Sequence, residues 1–571
     1  MQLDNVLPFS VPAEPVAGDE KVEKVGAHLG LLDLNIGRVL NHLRRDLRDD
    51  WYPDVLNHSD SLNADFICSR LEQLQQDPLK GYEATERVVR DIPKSGGALR
   101  YSLETNIVDR FVYQALVEEF ARPLDALLSS QVFSHRYQFE DRKGFFKPAV
   151  PQWSLFRDAL QETGRHRWIV EADLQNFYES ISLAELHKAL LQGISEAEGD
   201  FKQKARRRYA ADMLLQLLPK WCYALTHGLP QNRDASSFLA NQYMRRVDQD
   251  MAREYPSYFR YMDDIRICVD SRDDARRALV ALTRSLRGIG LSLNSKKTKI
   301  YSPSSDEHRE MMKPEDKRMR DIDDMWRSRS QATIARSLDY IAELTREVLV
   351  EGETDSRKFR FCVNRLQKLA QAEDLDIDIP HRDALKKLVL NRIVEDASVA
   401  DQLCAFLRAV RLTAEECHAL EALLLNDRTY LYEWQRYHIV LLLVDHGHSS
   451  QELLAACDKA VHGLRGIDSA VPRDLALVVL GKYGGESWRS IIAKLYGEVC
   501  LGHVEQRAGI IAVHEVAYSG REGIKDLVAP HVPVSMSGMY REIRRTHMGS
   551  YFLGWPKTPS SDLIDIVSAY V

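Results

Sequence analysis

The sequence predicts an α+β fold followed, from about residue 330, by an all-α helical repeat domain. Apolar and polar residues alternate on both sides of Tyr261-Met262-Asp263-Asp264, as in a β-hairpin with one buried face. The run from Trp168 to Asp173 is typical of a second strand, apolar and ending at an acid. Later in the chain, apolar residues recur at helical spacing and glycines close several segments, which predicts packed helices.

The domain organisation follows from these changes of pattern along the 571 residues. Ser302 to Ser305 and the charged run that follows predict a linker or an irregular crossing segment. We therefore expect four parts: an N-terminal helical extension at 1–80, an α+β unit at 81–301, a linker at 302–329 and a helical domain at 330–571.

Three glycines suggest the architecture of the helical domain. Gly447, Gly484 and Gly520 each follow an apolar helix, and they lie 37 and 36 residues apart. This spacing is close to the period of helical-pair solenoids, which predicts a HEAT-like array closed by C-capping glycines. An irregular helical bundle with incidental glycines is the alternative.

Composition excludes a membrane protein and a disulfide-rich one. The chain is 44% hydrophobic and 28% charged, shows no targeting segment, and has a longest apolar run, near Ile439 to Val444, far too short to cross a bilayer. Its eight cysteines form no CxxC pair. We therefore expect a cytoplasmic protein without disulfides or a zinc site, in which Cys417-His418 is a packing feature.

Three acids are candidate catalytic metal ligands. Asp263 and Asp264 stand at the tip of the predicted hairpin, and Asp173 ends the other strand, where it can face them. Acids from neighbouring strands can hold the two Mg²⁺ ions that phosphoryl transfer onto a hydroxyl requires. The carbonyl of Leu174 would complete an all-oxygen shell. A surface turn with two solvated acids is the alternative for the hairpin alone.

Several segments between residues 90 and 301 occur in the order seen in the reverse transcriptases, which this chain resembles. They are Ile92-Pro93-Lys94 with Arg100, Asp109-Arg110 with Tyr113-Gln114, Asp173 with Phe177 and Tyr178, Gly228 to Asn241, Tyr261 to Asp264, and Gly290 to Thr298. The resemblance implies a right-hand polymerase with fingers and palm. It also implies deoxynucleoside triphosphates (dNTPs) as substrates.

The fingers and first palm segments supply candidate nucleotide-binding residues. Lys94 and Arg100 would pair with the triphosphate. Tyr178 would lie under the sugar and crowd a 2′-hydroxyl, so that a deoxynucleotide is preferred. A core aromatic is the alternative for Tyr178.

Two later segments complete the nucleotide-binding set. Gln231 belongs to the second palm motif, where the Gln231-Asn232 step departs from the usual Gln-Gly at a position of template contact. The resemblance places a lysine of the fourth motif near the incoming nucleotide. Lys297 is favoured for that role over Lys296 or Lys299.

The whole-chain arrangement resembles the bacterial abortive-infection and defence-associated reverse transcriptases of the unknown-group type, in which a polymerase unit is fused to a C-terminal HEAT-like domain. This resemblance implies antiphage defence, DNA synthesis that needs no nucleic-acid template, priming from a tyrosine hydroxyl, a covalently attached DNA product and homo-oligomers. A net charge of −7 also favours a short or tethered nucleic acid over extended duplex.

Two other functions stay open. One is a templated reverse transcriptase that copies a dedicated non-coding RNA, as retron enzymes do. The other is a nonenzymatic helical-repeat module whose palm is a relic. The intact carboxylates argue against the second.

Tyr52 is the candidate priming residue. It lies in a polar segment beside Pro53, which favours a loop from which a hydroxyl could reach the metals. Packing beside Trp51 is the alternative reading. Other tyrosines remain competitors, namely Tyr430, Tyr432 and Tyr551.

Overall fold

The structure is a computed structural model, and it describes residues 35–56, 58, 60–62, 65–68, 71, 82–139, 144–313, 316–370, 379–463, 469–498, 502–514, 529–532 and 536–545. The α+β part contains two sheets and the helices around them. Its elements, in chain order, are α1 (Ile36–Asp46), β1 (Val88–Pro93), β2 (Leu99–Glu104), α2 (Ile107–Asp125), α3 (Ala149–Gly164), β3 (Trp168–Asp173), α4 (Phe177–Ser180), α5 (Leu183–Glu196), α6 (Phe201–Trp221), α7 (Asp234–Glu254), β4 (Tyr258–Tyr261), β5 (Asp264–Val269), α8 (Arg272–Gly288) and β6 (Lys299–Tyr301).

The larger sheet has the strand order β4-β5-β3-β6, and its pairs are antiparallel. One face is apolar because Val170 and Ala172 of β3 lie opposite Ile267 and Ile265 of β5. This face is buried against α7 and α8. The predicted hairpin and the predicted strand before Asp173 are both confirmed.

The smaller sheet is the hairpin of β1 and β2, in which Ile92 pairs with Arg100. Its turn is closed by two backbone hydrogen bonds, from Lys94 N–H to Ala98 O (2.6 Å) and from Gly97 N–H to Lys94 O (3.0 Å). The hairpin therefore projects Lys94 at its tip.

The rest of the chain is helical over the described residues. The elements are α9 (Asp306–Met311), α10 (Lys317–Arg327), α11 (Gln331–Glu351), α12 (Arg357–Ala370), α13 (Arg382–Arg392), α14 (Ala400–Val410), α15 (Ala414–Leu424), α16 (Glu433–Asp445), α17 (Gln451–His462), α18 (Arg473–Tyr483), α19 (Gly485–Glu498), α20 (His503–His514) and α21 (Ser537–Arg545). Alternate helices pack on one another in a series, so that each contacts the next member; the series is α12, α14, α16, α18 and α20. None of the helices that the structure describes is long and apolar enough to cross a membrane.

One local expectation for this region is wrong, and two are confirmed. The segment predicted as an irregular linker contains α9 and α10, because Met319, Ile322 and Trp326 recur at helical spacing and are all buried. As predicted, a glycine closes each of these two helices: Gly447 follows α16 in the left-handed conformation (φ +69°), and Gly484 is the C-cap of α18 (φ −79°), where its N–H donates to Leu480 O. The third glycine, Gly520, lies outside the described residues.

The helical domain packs directly on the hairpin of β1 and β2 and on the segment after α1. Helix α16 lies against β1, where Trp434 Nε1 donates to Trp51 O (2.9 Å) and the Tyr437 hydroxyl donates to Pro53 O (2.8 Å). Arg90 of β1 pairs with Asp474 of α18 at 2.6 Å, and both side chains are buried. Buried polar contacts of this kind hold the two parts in one fixed arrangement, since separating them would leave unpaired charges.

Candidate active site

The open face of the larger sheet changes from apolar to acidic along β3. The pair Ile169 and Cys268 is covered by α3, and the next pair on this face is Glu171 with Arg266, which form an ion pair. The last pair is Asp173 with Asp264. Because side chains two residues apart share a face of a strand, this register brings both acids to the uncovered end of the sheet.

Asp263 is positioned by the hairpin tip, which buried hydrogen bonds hold in place. Met262 takes a left-handed conformation (φ +59°), and its N–H donates to Ser134 Oγ at 2.7 Å. Arg260 is fully buried and donates from Nη1 to Met262 O (2.8 Å). Its Nε and Nη2 both bond to Asp248 of α7 at 2.7 Å. This buried ion pair orients the turn that presents Asp263.

Asp173 is held by the segment before β6. Lys297 Nζ donates to Asp173 Oδ1 (3.1 Å) and Asn294 Nδ2 donates to Oδ2 (3.2 Å). Of the lysines proposed from sequence, Lys297 is thus the one with a recorded hydrogen bond to a predicted catalytic acid, although its side chain is 64% exposed. Although burial acts to lower it, the hydrogen bond to Asp173 raises the pKa of Lys297.

Burial and the charges of neighbouring acids raise the pKa values of Asp263 and Asp264. Burial, followed by the charges of Asp264 and Asp173, raises the pKa of Asp263 to about 6. Burial also raises the pKa of Asp264, against the effect of Arg266 at 3.7 Å. Uncompensated negative charge of this kind is relieved by a cation.

The donor set fits Mg²⁺, although the three carboxylates are not drawn into a tight cluster. Among the described residues, the only group of three ligating side chains whose donor atoms lie within 4.8 Å of one another is elsewhere in the chain. Carboxylate oxygens are the ligands that Mg²⁺ prefers. Leu174 lies opposite Leu293, and the two backbone bonds of this bridge join the flanking residues, from Gln175 N–H to Ser292 O and from Asn294 N–H to Asp173 O. In such an antiparallel pair the carbonyl of Leu174 itself points away from Leu293, toward the β5 side of β3.

The second palm segment lies beside Tyr178. Leu229 N–H donates to Tyr178 O (3.0 Å), and Gln231 Nε2 lies 3.5 Å from Glu179 Oε1. The Tyr178 side chain is partly buried, and its hydroxyl bonds to Ser237 Oγ at 3.0 Å. Burial raises the pKa of Tyr178, and the charge of Asp263 adds to this increase. Tyr178 is therefore close enough to Asp263 to feel its charge, and Gln231 lies beside the neighbouring Glu179.

Arg100 lies between the catalytic candidates and the helical domain. Its guanidinium is 5.7 Å from the ring of Trp51, and its Nε is buried without a hydrogen-bond partner in the structure. Burial and the charge of Arg360 in α12 lower the pKa of Arg100, while acids from both sides oppose this, namely Asp401, Asp263 and Glu179. No local pattern pointed to Arg360 of α12 or Asp401 of α14, because only tertiary packing brings them near Arg100.

The structure places Tyr52 in the interior. It is 5% exposed, its hydroxyl donates to Asp91 O (3.0 Å), and Arg90 stacks on its ring at 4.5 Å. Tyr52 therefore does not meet the condition of accessibility from which its priming role was predicted. Tyr430 is 74% exposed, and Tyr551 lies outside the described residues.

The site thus combines acids on neighbouring antiparallel strands with a lysine bonded to one of them, an arrangement suited to phosphoryl transfer. Residues 92–329 match the family model described as reverse transcriptase (RNA-dependent DNA polymerase). The protein therefore contains a reverse transcriptase domain and is an RNA-directed DNA polymerase by class. The match continues through α9 and α10, beyond the boundary at 301 expected from sequence. Comparison with curated proteins gives no match.

Proposed function

We propose that this protein is a Mg²⁺-dependent DNA polymerase that acts in bacterial antiphage defence. The observation that carries the catalytic part is the cross-strand pair of Asp173 and Asp264, with Asp263 at the adjoining tip. These acids and the carbonyl of Leu174 would hold two ions. Bound there, Mg²⁺ would lower the pKa of a primer hydroxyl and neutralise the leaving pyrophosphate.

The nucleotide would lie between the palm and the fingers hairpin. Arg100, with its unpaired Nε, and Lys94 at the hairpin tip would bind the triphosphate. Tyr178 would pack under the sugar and exclude a 2′-hydroxyl, with Gln231 alongside. Lys297, bonded to Asp173, would lie near the incoming nucleotide.

The helical domain would act as a HEAT-like array that takes the place of a thumb. It contributes Arg360 of α12 to the electrostatic surroundings of Arg100, and Tyr432 bonds to Gly97 O at the tip of the fingers hairpin (3.4 Å). Truncation after residue 330 is expected to give an aggregated or inactive palm, because the apolar surface under the array would be exposed. A soluble, fully active fragment would instead make the array an independent partner-binding domain.

Template-independent synthesis is part of this proposal. It is supported by the helical domain packed on the fingers, which resembles the defence-associated enzymes, and by the net charge of −7. The purified protein, treated with nuclease, should incorporate dNTPs in Mg²⁺ without added template, and Asp173→Asn should abolish incorporation. Copurified RNA of defined sequence, needed for activity, would favour the retron-like alternative. Failure to incorporate any dNTP would favour a relic palm.

We also propose that synthesis starts on a protein hydroxyl and that the active form is a homo-oligomer. Among the described candidates, Tyr430 has the exposure that a primer needs, whereas Tyr52 does not. Denatured enzyme should then carry covalent DNA, and peptide mapping should place it on one tyrosine. Tyr430→Phe should remove the label, with Tyr52→Phe as the control that retains it. Absence of protein-linked DNA in the parent would exclude this route.

A further inference from the structure

A second cluster of ligating side chains lies in the helical domain, away from the catalytic acids. It consists of His418 and Glu421 of α15 and His448, which follows α16. One ligand atom from each residue lies within 4.8 Å of the other two, and no other such group is found in the described ranges. His448 is distant in sequence from His418 and Glu421, so the packing of α15 on α16 brings it to them.

Two features of the backbone place these ligands. His418 and Glu421 are three residues apart on a helix, which puts them on one face. Gly447 then ends α16 in the left-handed conformation, and its N–H donates to Val444 O while the N–H of His448 donates to Leu443 O, each at 2.9 Å. This turn returns the chain so that His448 lies over α15.

The carboxylate of Glu421 is buried and already oriented. Its residue is 5% exposed, one oxygen contacts His448 Nε2, and the other accepts a hydrogen bond from the Ser450 hydroxyl. Ser450 is itself fixed as the N-cap of α17, where it accepts from Leu453 N–H at 2.9 Å. Hydrogen bonds to a ligating carboxylate are the usual outer support of a metal site.

His418 completes the cluster from the solvent side. Its ring centre is 4.7 Å from that of His448, at an interplanar angle of 84°, and the residue is exposed. A tetrahedral zinc ion needs ligand distances of about 2.0–2.2 Å, so the cluster would close by rotation of this exposed side chain. Entry from solvent is open on the same side.

We propose that His418, Glu421 and His448 form a zinc site, with water as the fourth ligand. Two imidazoles and one carboxylate suit Zn²⁺, whereas the all-oxygen acids of the palm suit Mg²⁺. The adjacent Cys417 is buried and is not a ligand.

The role of the ion would be to join α15 to the turn after α16 within the helical array. A ligand that binds only the folded state stabilises it, so zinc should raise the thermal unfolding midpoint. The site is independent of the palm acids. Its occupancy should therefore not change when Mg²⁺ is present or when Asp263 is replaced by Asn.

Metal content of the full-length chain tests this proposal. Chelator-treated protein, dialysed against micromolar Zn²⁺ in millimolar Mg²⁺, should bind about one zinc per chain by elemental analysis. Co²⁺ in place of Zn²⁺ should give the intense visible bands of a four-coordinate site. His418→Gln and His448→Gln should each lose the ion and the increase in unfolding midpoint.

The matched control is His462→Gln. His462 Nδ1 pairs with Asp458 at 2.7 Å on an exposed helix face, outside the three-residue cluster, so its replacement should leave zinc binding intact. Because His418 is exposed, His418→Gln should keep the fold even if His448→Gln does not, and circular dichroism checks this. Zinc that persists in both cluster variants, or an absence of bound zinc in the parent, would overturn the proposal.

Discussion

Asp263→Asn should abolish dNTP incorporation and at the same time stabilise the metal-free protein. The pKa of Asp263 is raised to about 6 from 3.8, chiefly by burial. The folded state therefore holds this proton more tightly than the unfolded chain. The contribution of this group to the free energy of unfolding is complete below about pH 4 and is lost as the pH rises through about 6.

At pH 8 the metal-free parent bears the full cost of this buried charge. A shift of about two pKa units corresponds to about 3 kcal/mol, which is the upper bound for the gain in stability on replacement by Asn. Mg²⁺ should raise the unfolding midpoint of the parent and leave that of Asp263→Asn nearly unchanged, since the variant lacks a ligand.

The measurements are thermal unfolding with EDTA and with Mg²⁺, and incorporation of labelled dNTP. Asp270→Asn is the control, because the Asp270 side chain is 82% exposed and forms a surface pair with Arg167, worth at most about 1 kcal/mol. An Asp263→Asn protein that is less stable than the parent in EDTA, or that retains incorporation, would refute the reasoning.

Three further changes test other parts of the site. Tyr178→Ala should admit ribonucleotides because the clash with a 2′-hydroxyl is removed, whereas Tyr178→Phe should not; unchanged discrimination in competition assays would assign the gate elsewhere. Lys297→Ala should lower incorporation about 10- to 100-fold through loss of a charged hydrogen bond, and Lys296→Ala should have little effect; equal losses would contradict the assignment. Asp248→Asn should cost about 3–5 kcal/mol of stability, because Arg260 is left buried without its counter-ion, and a thermal shift equivalent to less than 1 kcal/mol would argue against this role.

Much of the palm could be predicted from local pattern. Alternation around Asp263 and Asp264 predicted the hairpin, and the apolar run before Asp173 predicted the neighbouring strand, because a half-buried sheet imposes a period of two on its sequence. The start of α5 has a local cause of the same kind, since Ser182 is its N-cap and accepts from Glu185 N–H.

The errors have a common origin in long-range packing. The charged segment after Tyr301 forms α9 and α10. A few residues of this segment are buried against the rest of the protein and stabilise the helices, although most of the segment is charged. Tyr52 has a polar, Pro-containing surrounding in sequence, yet the helical domain covers it through Tyr437 at a ring distance of 4.9 Å. The exposure of a side chain depends on which distant segments pack against it, and the polarity of its sequence neighbours does not predict this.

The sequence by itself determined the chemistry available to this protein: three acids on two strands, a lysine downstream of them, and a helical extension long enough to pack on the fingers. Tertiary structure alone decided which lysine bonds to Asp173, that Asp248 and Arg260 hold the hairpin tip, and that His418 meets His448. A strand can be predicted from the alternation of neighbouring residues, whereas these contacts join segments that are distant in sequence and meet only in the folded chain.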